Sequence, residues 1–306
     1  MAQVAAEQDM SSADIGYEVI AIFGPTASGK SAVGALVADA RTSAVVSADA
    51  LQVYRGIPII TNQPADPTRL VAIRELDQEM SVGEYAVLAH SEIDELVAAT
   101  GTAIVLGGTG LYFRAALADL AVPAAPSPGQ RERIEGTYDR NRNVAFARLE
   151  ALDPGAAARV DVNDRRRVVR ALELAELGQS LRPAVDSLWQ GQTRRPTLTV
   201  GLDVPVAVLE QLIERRVDEM IARGALAEAR AALSQPISRT AERALGLREL
   251  VELPLEEARE RLIVRTRRYA AYQRKWMRRI PELHLVDGNR ESRMVATDIL
   301  ALAARQ

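Results

Sequence analysis

Val19-Ile20-Ala21-Ile22-Phe23-Gly24-Pro25-Thr26-Ala27-Ser28-Gly29-Lys30-Ser31 is the stretch whose reading decides the fold. Its first five residues are an unbroken apolar run, the pattern of a buried strand. The next eight fit the phosphate-cradling spacing G-x-x-x-x-G-K-[ST]. Ala32, Val33, Leu36 and Val37 then recur at helical spacing. Strand, glycine-bearing loop and helix together are the context in which that spacing binds phosphate. Backbone amides converge on the anion, and the helix adds its positive end. Of 38 Lys plus Arg residues only Lys30 and Lys275 are lysine. A lysine in the loop therefore reads as a compact point charge that a planar guanidinium does not replace. Lys30 would neutralise phosphate oxygens, and Ser31 would hold a Mg²⁺ sharing them. A nucleoside triphosphate and another diphosphate both remain open as ligands.

Working outward, Ala44 to Ala48 reads as a second strand ending at Asp49. Ser81-Val82-Gly83-Glu84 is a capping box opening a helix to about Ala99. Ala103-Ile104-Val105-Leu106 forms a third strand, stopped by Gly107-Gly108-Thr109-Gly110, and Leu111 to Leu117 begins another helix. Strands alternating with helices imply a parallel sheet with ligands at the strands' carboxyl ends. Lys30, Asp49 and Thr109 all follow such ends, so they should share one cleft.

Pro123-Ala124-Ala125-Pro126-Ser127-Pro128 punctuates the chain. Residues 129–190 read as helical and arginine-rich. Thr197 to Leu202 reads as a strand rejoining the sheet, helices follow, and His284 to Asp287 is a last strand. The expected fold class is α/β: a P-loop NTPase-like parallel sheet flanked by helices, with a small all-helical insertion domain. Residues 1–16 read as a flexible extension, 17–122 and 191–306 as the catalytic core, and 123–190 as the insertion.

Composition narrows the chemistry. The chain's 306 residues, 48% hydrophobic and 26% charged, suit a globular protein with a sizeable core. The net charge of -3 does not advertise a nucleic-acid binder, though clustering of arginines matters more than the total. The absence of cysteine excludes disulfides, thiol catalysis and cysteine zinc sites. With only His90 and His284, a histidine metal site or triad is not expected. No apolar run approaches the ~20 residues that span a bilayer. Glu7, Asp9 and Asp14 in the N-terminal segment argue against a secretory signal. The expected location is the cytoplasm.

Each candidate has a plainer alternative. Asp49 after its strand is either a general base or metal-associated carboxylate, or a helix cap or turn residue. The phosphate loop beside it favours chemistry. The glycines around Thr109 either let backbone approach a ligand or make a simple turn. Arg165-Arg166-Arg167 with Arg170 is, alone, a solvated face. Arg265, Arg267, Arg268, Arg274, Lys275, Arg278 and Arg279 alternate with Tyr269, Tyr272 and Trp276, which suits base stacking and phosphate contacts. An amphipathic helix packing its aromatics inward reads the same way.

Taken together, these residues resemble the tRNA dimethylallyltransferase family. The resemblance spans nearly the whole chain: Gly24 to Ser31; Ser47-Ala48-Asp49 with Gln52-Val53-Tyr54-Arg55-Gly56; Gly107 to Tyr112; Asn163-Asp164 with Arg167 and Arg170 to Glu173; Ala244 to Glu249; and Thr266 to Arg279 with Gln273 and Trp276. It implies transfer of a dimethylallyl group from dimethylallyl diphosphate to the exocyclic N6 of the adenine 3′ of the anticodon, releasing pyrophosphate. It also implies Mg²⁺ as cofactor. Gly24, Pro25, Thr26, Ala27, Ser28, Gly29, Lys30 and Ser31 would hold the diphosphate. Among the arginines of 265–279, Arg267 is the choice for the pyrophosphate. Asp49 would be the general base, and Thr109 would sit near the reacting centre and bridging oxygen. Asp49, Ala50, Leu51, Gln52 and Thr109 would meet the extruded base. Arg131, Arg166, Arg167, Arg170 and Arg248 would contact the tRNA. The chain departs from the family pattern at Thr61-Asn62-Gln63-Pro64, where Thr-Ala-Lys-Pro is usual, and lacks a His-His pair within Arg69 to Leu76. Arg166 replaces a common glutamine.

The competing readings are a small-molecule kinase using ATP on the same loop, an adenylate prenyltransferase acting on free nucleotides, and a non-enzymatic nucleotide-binding scaffold. Neither the kinase nor the adenylate enzyme needs the arginine-rich insertion. The expected partners are tRNA and dimethylallyl diphosphate, with no membrane, and a monomer is expected.

Overall fold

The computed structural model describes residues 16–120, 126–127, 129–181 and 191–304. Residues 1–15 of the expected extension, most of the Pro123–Pro128 stretch and residues 182–190 lie outside the described residues. The described chain divides into two compact units, one within Met1–Ala118 and Gly191–Gln306, the other within Asp119–Gln190.

The first unit is built on six parallel strands: β1 (Val19–Phe23), β2 (Val45–Ala48), β3 (Thr68–Arg69), β4 (Ala103–Gly107), β5 (Thr197–Asp203) and β6 (His284–Asp287). Their spatial order is β3-β2-β4-β1-β5-β6. The central strands are buried throughout, so the apolar runs VIAIF and AIVLG have no polar face to alternate with. β3 is the one strand of the sheet the sequence pattern does not announce. At two residues it is too short to show a period, and it pairs only with β2.

Around the sheet run α1 (Lys30–Ala40), α2 (Pro58–Thr61), α3 (Val82–Thr100) and α4 (Gly110–Leu117). Ser81 caps α3 as its sequence predicts, accepting from the Glu84 N–H at 3.1 Å. One sheet face packs Ile20, Ile22, Ile104, Val200 and Leu202 against Val33 and Val37 of α1 and the later Val295 and Ile299. On the other face Phe23 meets Phe113 edge-on, with centroids 5.2 Å apart.

The second unit holds α5 (Gln130–Arg140), α6 (Arg142–Leu152), α7 (Pro154–Ala157) and α8 (Arg165–Ala175). Ile134, Leu149, Val168 and Leu172 form its own core. Asn141, Asp153 and Asp164 cap three of these helices. After β5 the first unit resumes with α9 (Val206–Ala222), α10 (Ala225–Leu233), α11 (Glu249–Glu252), α12 (Leu255–Met277) and α13 (Ser292–Ala303). None of the described helices is long and apolar enough to cross a membrane.

Candidate active site

Strand register brings the candidate residues together. Phe23 and Ala48 both align with Gly107, so β1, β2 and β4 end at one level. Gly24, Asp49 and Gly108, the residues that follow, therefore emerge side by side. The strand ends that carry the three expected residues are thus adjacent.

The phosphate loop has the shape its glycines predict. Ala27 and Gly29 have positive φ, 64° and 79°, separated by one residue. Such alternation turns successive amides toward one side and makes an anion nest. Gly29 is needed because this conformation sits just before α1. Gly24 N–H donates to the Gly107 carbonyl at 3.2 Å, and Ser28 N–H to that of Pro25 at 3.2 Å. The Ser28 hydroxyl is buried with no hydrogen-bond partner.

Two cations lie at the nest, and neither forms an ion pair to a carboxylate among the described residues. Lys30 Nζ donates to the Pro25 carbonyl at 3.4 Å. Arg216 of α9 donates through Nη1 to Thr26 Oγ1 at 2.8 Å. Burial, and then the Arg216 charge, push the Lys30 amine down to about 8, with the Asp49 charge opposing. Burial also lowers Arg216, again against Asp49. Nothing in the sequence marks Arg216, because only the fold brings α9 onto a loop 190 residues earlier.

Asp49 is half-buried and accepts the Leu51 N–H at 2.9 Å, a tight turn that presents its carboxylate at the strand end. Ala50, Leu51 and Gln52 are half-buried beside it. The Gln52 side chain looks inward rather than outward. Its oxygen accepts from Ser47 Oγ at 2.8 Å, and its nitrogen donates to the Asn62 and Thr61 carbonyls at 2.9 and 3.3 Å. Gln63 donates to the Gln52 and Tyr54 carbonyls. In this chain the Thr61-Asn62-Gln63 departure thus builds the support under the Asp49 turn.

The third turn is roofed by α12. Thr109 Oγ1 lies 3.2 Å from the Tyr269 hydroxyl, which burial and then the Asp49 charge push well above its usual range. Arg267 on the same helix is half-buried and pairs with Glu214 of α9 at 3.4 Å. The arginine in contact with the loop is Arg216. Arg248 is exposed and held between Glu242 and Glu252, the latter at 2.7 Å.

Within the helical unit, acids answer most of the arginines. Arg131 and Arg170 both bind Glu173, at 2.6 and 2.8 Å, and that carboxylate is 0% exposed. Burial alone would raise Glu173, but the two guanidinium partners hold it below the usual carboxylate range. Arg167 pairs with Asp164 at 3.4 Å, and Arg165 with Asp139 and Glu135. Arg166 is exposed and forms no ion pair among the described residues.

No group of three or more His, Cys, Asp or Glu suited to a metal occurs among the described residues. Ser31, exposed at the second position of α1, is the residue that would hold a Mg²⁺, whose remaining ligands would come from substrate oxygens and water.

The sequence profile of the IPP transferase family matches residues 52–280. A tRNA dimethylallyltransferase from Streptomyces coelicolor is 38% identical over 293 residues, covering 91% of this chain and 93% of that protein. One from Salinispora arenicola is 37% identical over 300 residues, covering 94% and 86%. Among solved structures, the tRNA isopentenylpyrophosphate transferase of Bacillus halodurans superposes with a TM-score of 0.66 at 28% identity, over 94% of this chain and 96% of that one. A eukaryotic dimethylallyltransferase acting on tRNA gives a TM-score of 0.72 at 25% identity, over 88% and 73%. Fold, strand-end chemistry and relatives converge, and the chain belongs to the IPP transferase family, that of the tRNA dimethylallyltransferases.

Proposed function

We propose that this enzyme transfers a dimethylallyl group from dimethylallyl diphosphate to the exocyclic N6 of the adenine 3′ of the anticodon in tRNA, releasing pyrophosphate. The observation that carries this reading is the division of charge at the strand ends. Lys30 and Arg216 line the nest with no carboxylate paired to them among the described residues, while Asp49 follows β2, with β4 between it and the nest's strand.

The diphosphate would lie on the amides after Thr26, with Lys30 and Arg216 on its oxygens. As the adenine nitrogen attacks the allylic carbon, the bond from that carbon to the diphosphate oxygen breaks. The electron pair leaves with pyrophosphate, where the two cations stabilise it. Asp49 accepts the proton released by the attacking amine. Thr109, oriented by Tyr269, would face the bridging oxygen. Mg²⁺ on Ser31 would share the diphosphate charge. The adenine must leave its stack to reach Asp49, with the 49–52 turn beneath it. Arg166, the arginine of the 165–170 run without an ion pair among the described residues, would supply salt-dependent phosphate contact. With tRNA as substrate, the proposed location is the cytoplasm.

The test is label transfer. The protein is incubated with labelled dimethylallyl diphosphate, Mg²⁺ and either unmodified tRNA or AMP, with ATP consumption followed in parallel. Label is expected in tRNA only. Label in AMP but not tRNA, or ATP hydrolysis without prenyl transfer, would overturn the proposal.

A further inference from the structure

Gln273 lies on α12, and only 2% of it is exposed. Its Oε1 accepts the Thr26 N–H at 2.7 Å, and its Nε2 donates to the Gly108 carbonyl at 2.9 Å. Thr26 belongs to the phosphate loop and Gly108 to the turn that carries Thr109. One side chain thus ties together two strand-end turns that hold different parts of the reaction. A Cβ on Gly108 would come within 2.4 Å of Gln273 Nε2, so the missing side chain at 108 is what admits the amide. One helical turn earlier Tyr269 meets Thr109, and Arg216 holds the Thr26 hydroxyl from the opposite helix. The Thr26 N–H is also withdrawn from the anion, so the cradle begins after it.

We propose that Gln273 is a positioning residue for transfer: its amide fixes the phosphate loop against the Thr109 turn, setting where the bound diphosphate, and the allylic carbon attached to it, sits relative to Thr109 and Asp49. The inference rests on reading the loop as a diphosphate site. An amide suits the place because it donates and accepts at once while carrying no charge beside a diphosphate. A carboxylate keeps the acceptor but loses the donor, and a leucine leaves two buried backbone groups unpaired. Small displacements of reacting groups are costly, so the expected loss lies in turnover and diphosphate binding rather than in RNA binding.

The full-length protein is compared with Gln273→Leu and Gln273→Glu. The measurements are inorganic pyrophosphate affinity, kcat, KM for unmodified tRNA, and thermal melting. Gln273→Leu is expected to bind pyrophosphate about tenfold more weakly and to lose about 10²-fold in kcat, with KM for tRNA unchanged. Gln273→Glu carries the sharper signature. When protonated, its carboxyl group again donates to Gly108 and accepts from Thr26. Its kcat relative to the parent is therefore expected to rise about tenfold as pH falls from about 8 to about 5.5. Lys30, Arg216, Asp49 and Tyr269, the titratable groups around it, are present in both proteins and cancel in that ratio. A flat ratio, with losses that only follow the folded fraction, would overturn the proposal. So would unchanged pyrophosphate affinity in a folded Gln273→Leu. The pyrophosphate arm needs no RNA, so a parent that binds pyrophosphate without prenylating tRNA would count against the functional reading and leave the staple tested on its own.

Discussion

The two units use cations in opposite ways. In the helical insertion, Arg131, Arg165, Arg167 and Arg170 each have a carboxylate partner, and Glu173 is held at 0% exposure by two of them. At the phosphate loop, Lys30 and Arg216 share a half-buried corner and pair with no acid among the described residues. The first arrangement is a finished electrostatic structure, which costs stability if either partner is removed. The second is left open, so an incoming diphosphate supplies the charge the fold withholds. Asp49 lowers the cost of that openness through its field without closing an ion pair. A count of arginines does not separate the two; the partners do.

The comparison makes a graded set of predictions. The largest effect belongs to the carboxylate kept apart from the cations. Asp49→Asn is expected to lower the transfer rate by about 10²–10⁴-fold while pyrophosphate affinity stays near the parent value. Single-turnover kinetics and calorimetry on one preparation check both halves, and near-normal turnover would remove Asp49 from proton transfer. Next comes the insertion. Replacing Arg131 and Arg170 together by leucine leaves Glu173 buried without a cation and should destabilise that unit by about 3–5 kcal/mol. Denaturant melts report it. Because the two guanidinium groups hold Glu173 below its unfolded value, its contribution is present above the unfolded pKa and lost as pH falls through the folded one. The acid limb of the parent's stability curve should flatten in the double variant.

Effects at the loop are smaller per residue. Arg216→Gln keeps a donor for Thr26 but removes the charge, and about tenfold weaker pyrophosphate binding is expected. Binding indistinguishable from the parent would return the role to Arg267. The Lys30 amine, lowered to about 8, is partly neutral in the free enzyme just above that pH. A bound anion favours its charged form, so pyrophosphate binding near about pH 8.5 should take up a fraction of a proton. Titrations in buffers of different ionisation enthalpy measure the uptake, and Lys30→Met should abolish that part of it.

Much of the fold was legible in the sequence because its strands are either fully buried or stopped by marked turns. The run before Gly24, the run before the Gly107 turn and the Ser81 capping box each combine a period with a stop signal. β3 has neither, being two residues long and fixed only by its pairing with β2. Gly24 to Ser31, Asp49 and Thr109 could be read because each follows a strand end, and register then aligns those ends. Arg216 could not, since it sits in an ordinary amphipathic helix and matters only where α9 crosses the loop. Gln273 stood out within its motif, yet its role depends on two partners more than a hundred residues away. The arginine-rich stretch of the insertion announced charge but not compensation. Only the structure shows that Glu173 takes two of those cations and leaves Arg166 without an ion pair among the described residues.

The contrast between open and compensated cations is tested most directly by titrating inorganic pyrophosphate into Lys30→Met and Arg166→Ala under the same conditions. Lys30→Met is expected to weaken binding by at least about tenfold, while Arg166→Ala keeps the parent affinity and lowers only the salt dependence of tRNA binding, by about one unit of slope. Equal pyrophosphate affinities in the two variants would contradict it.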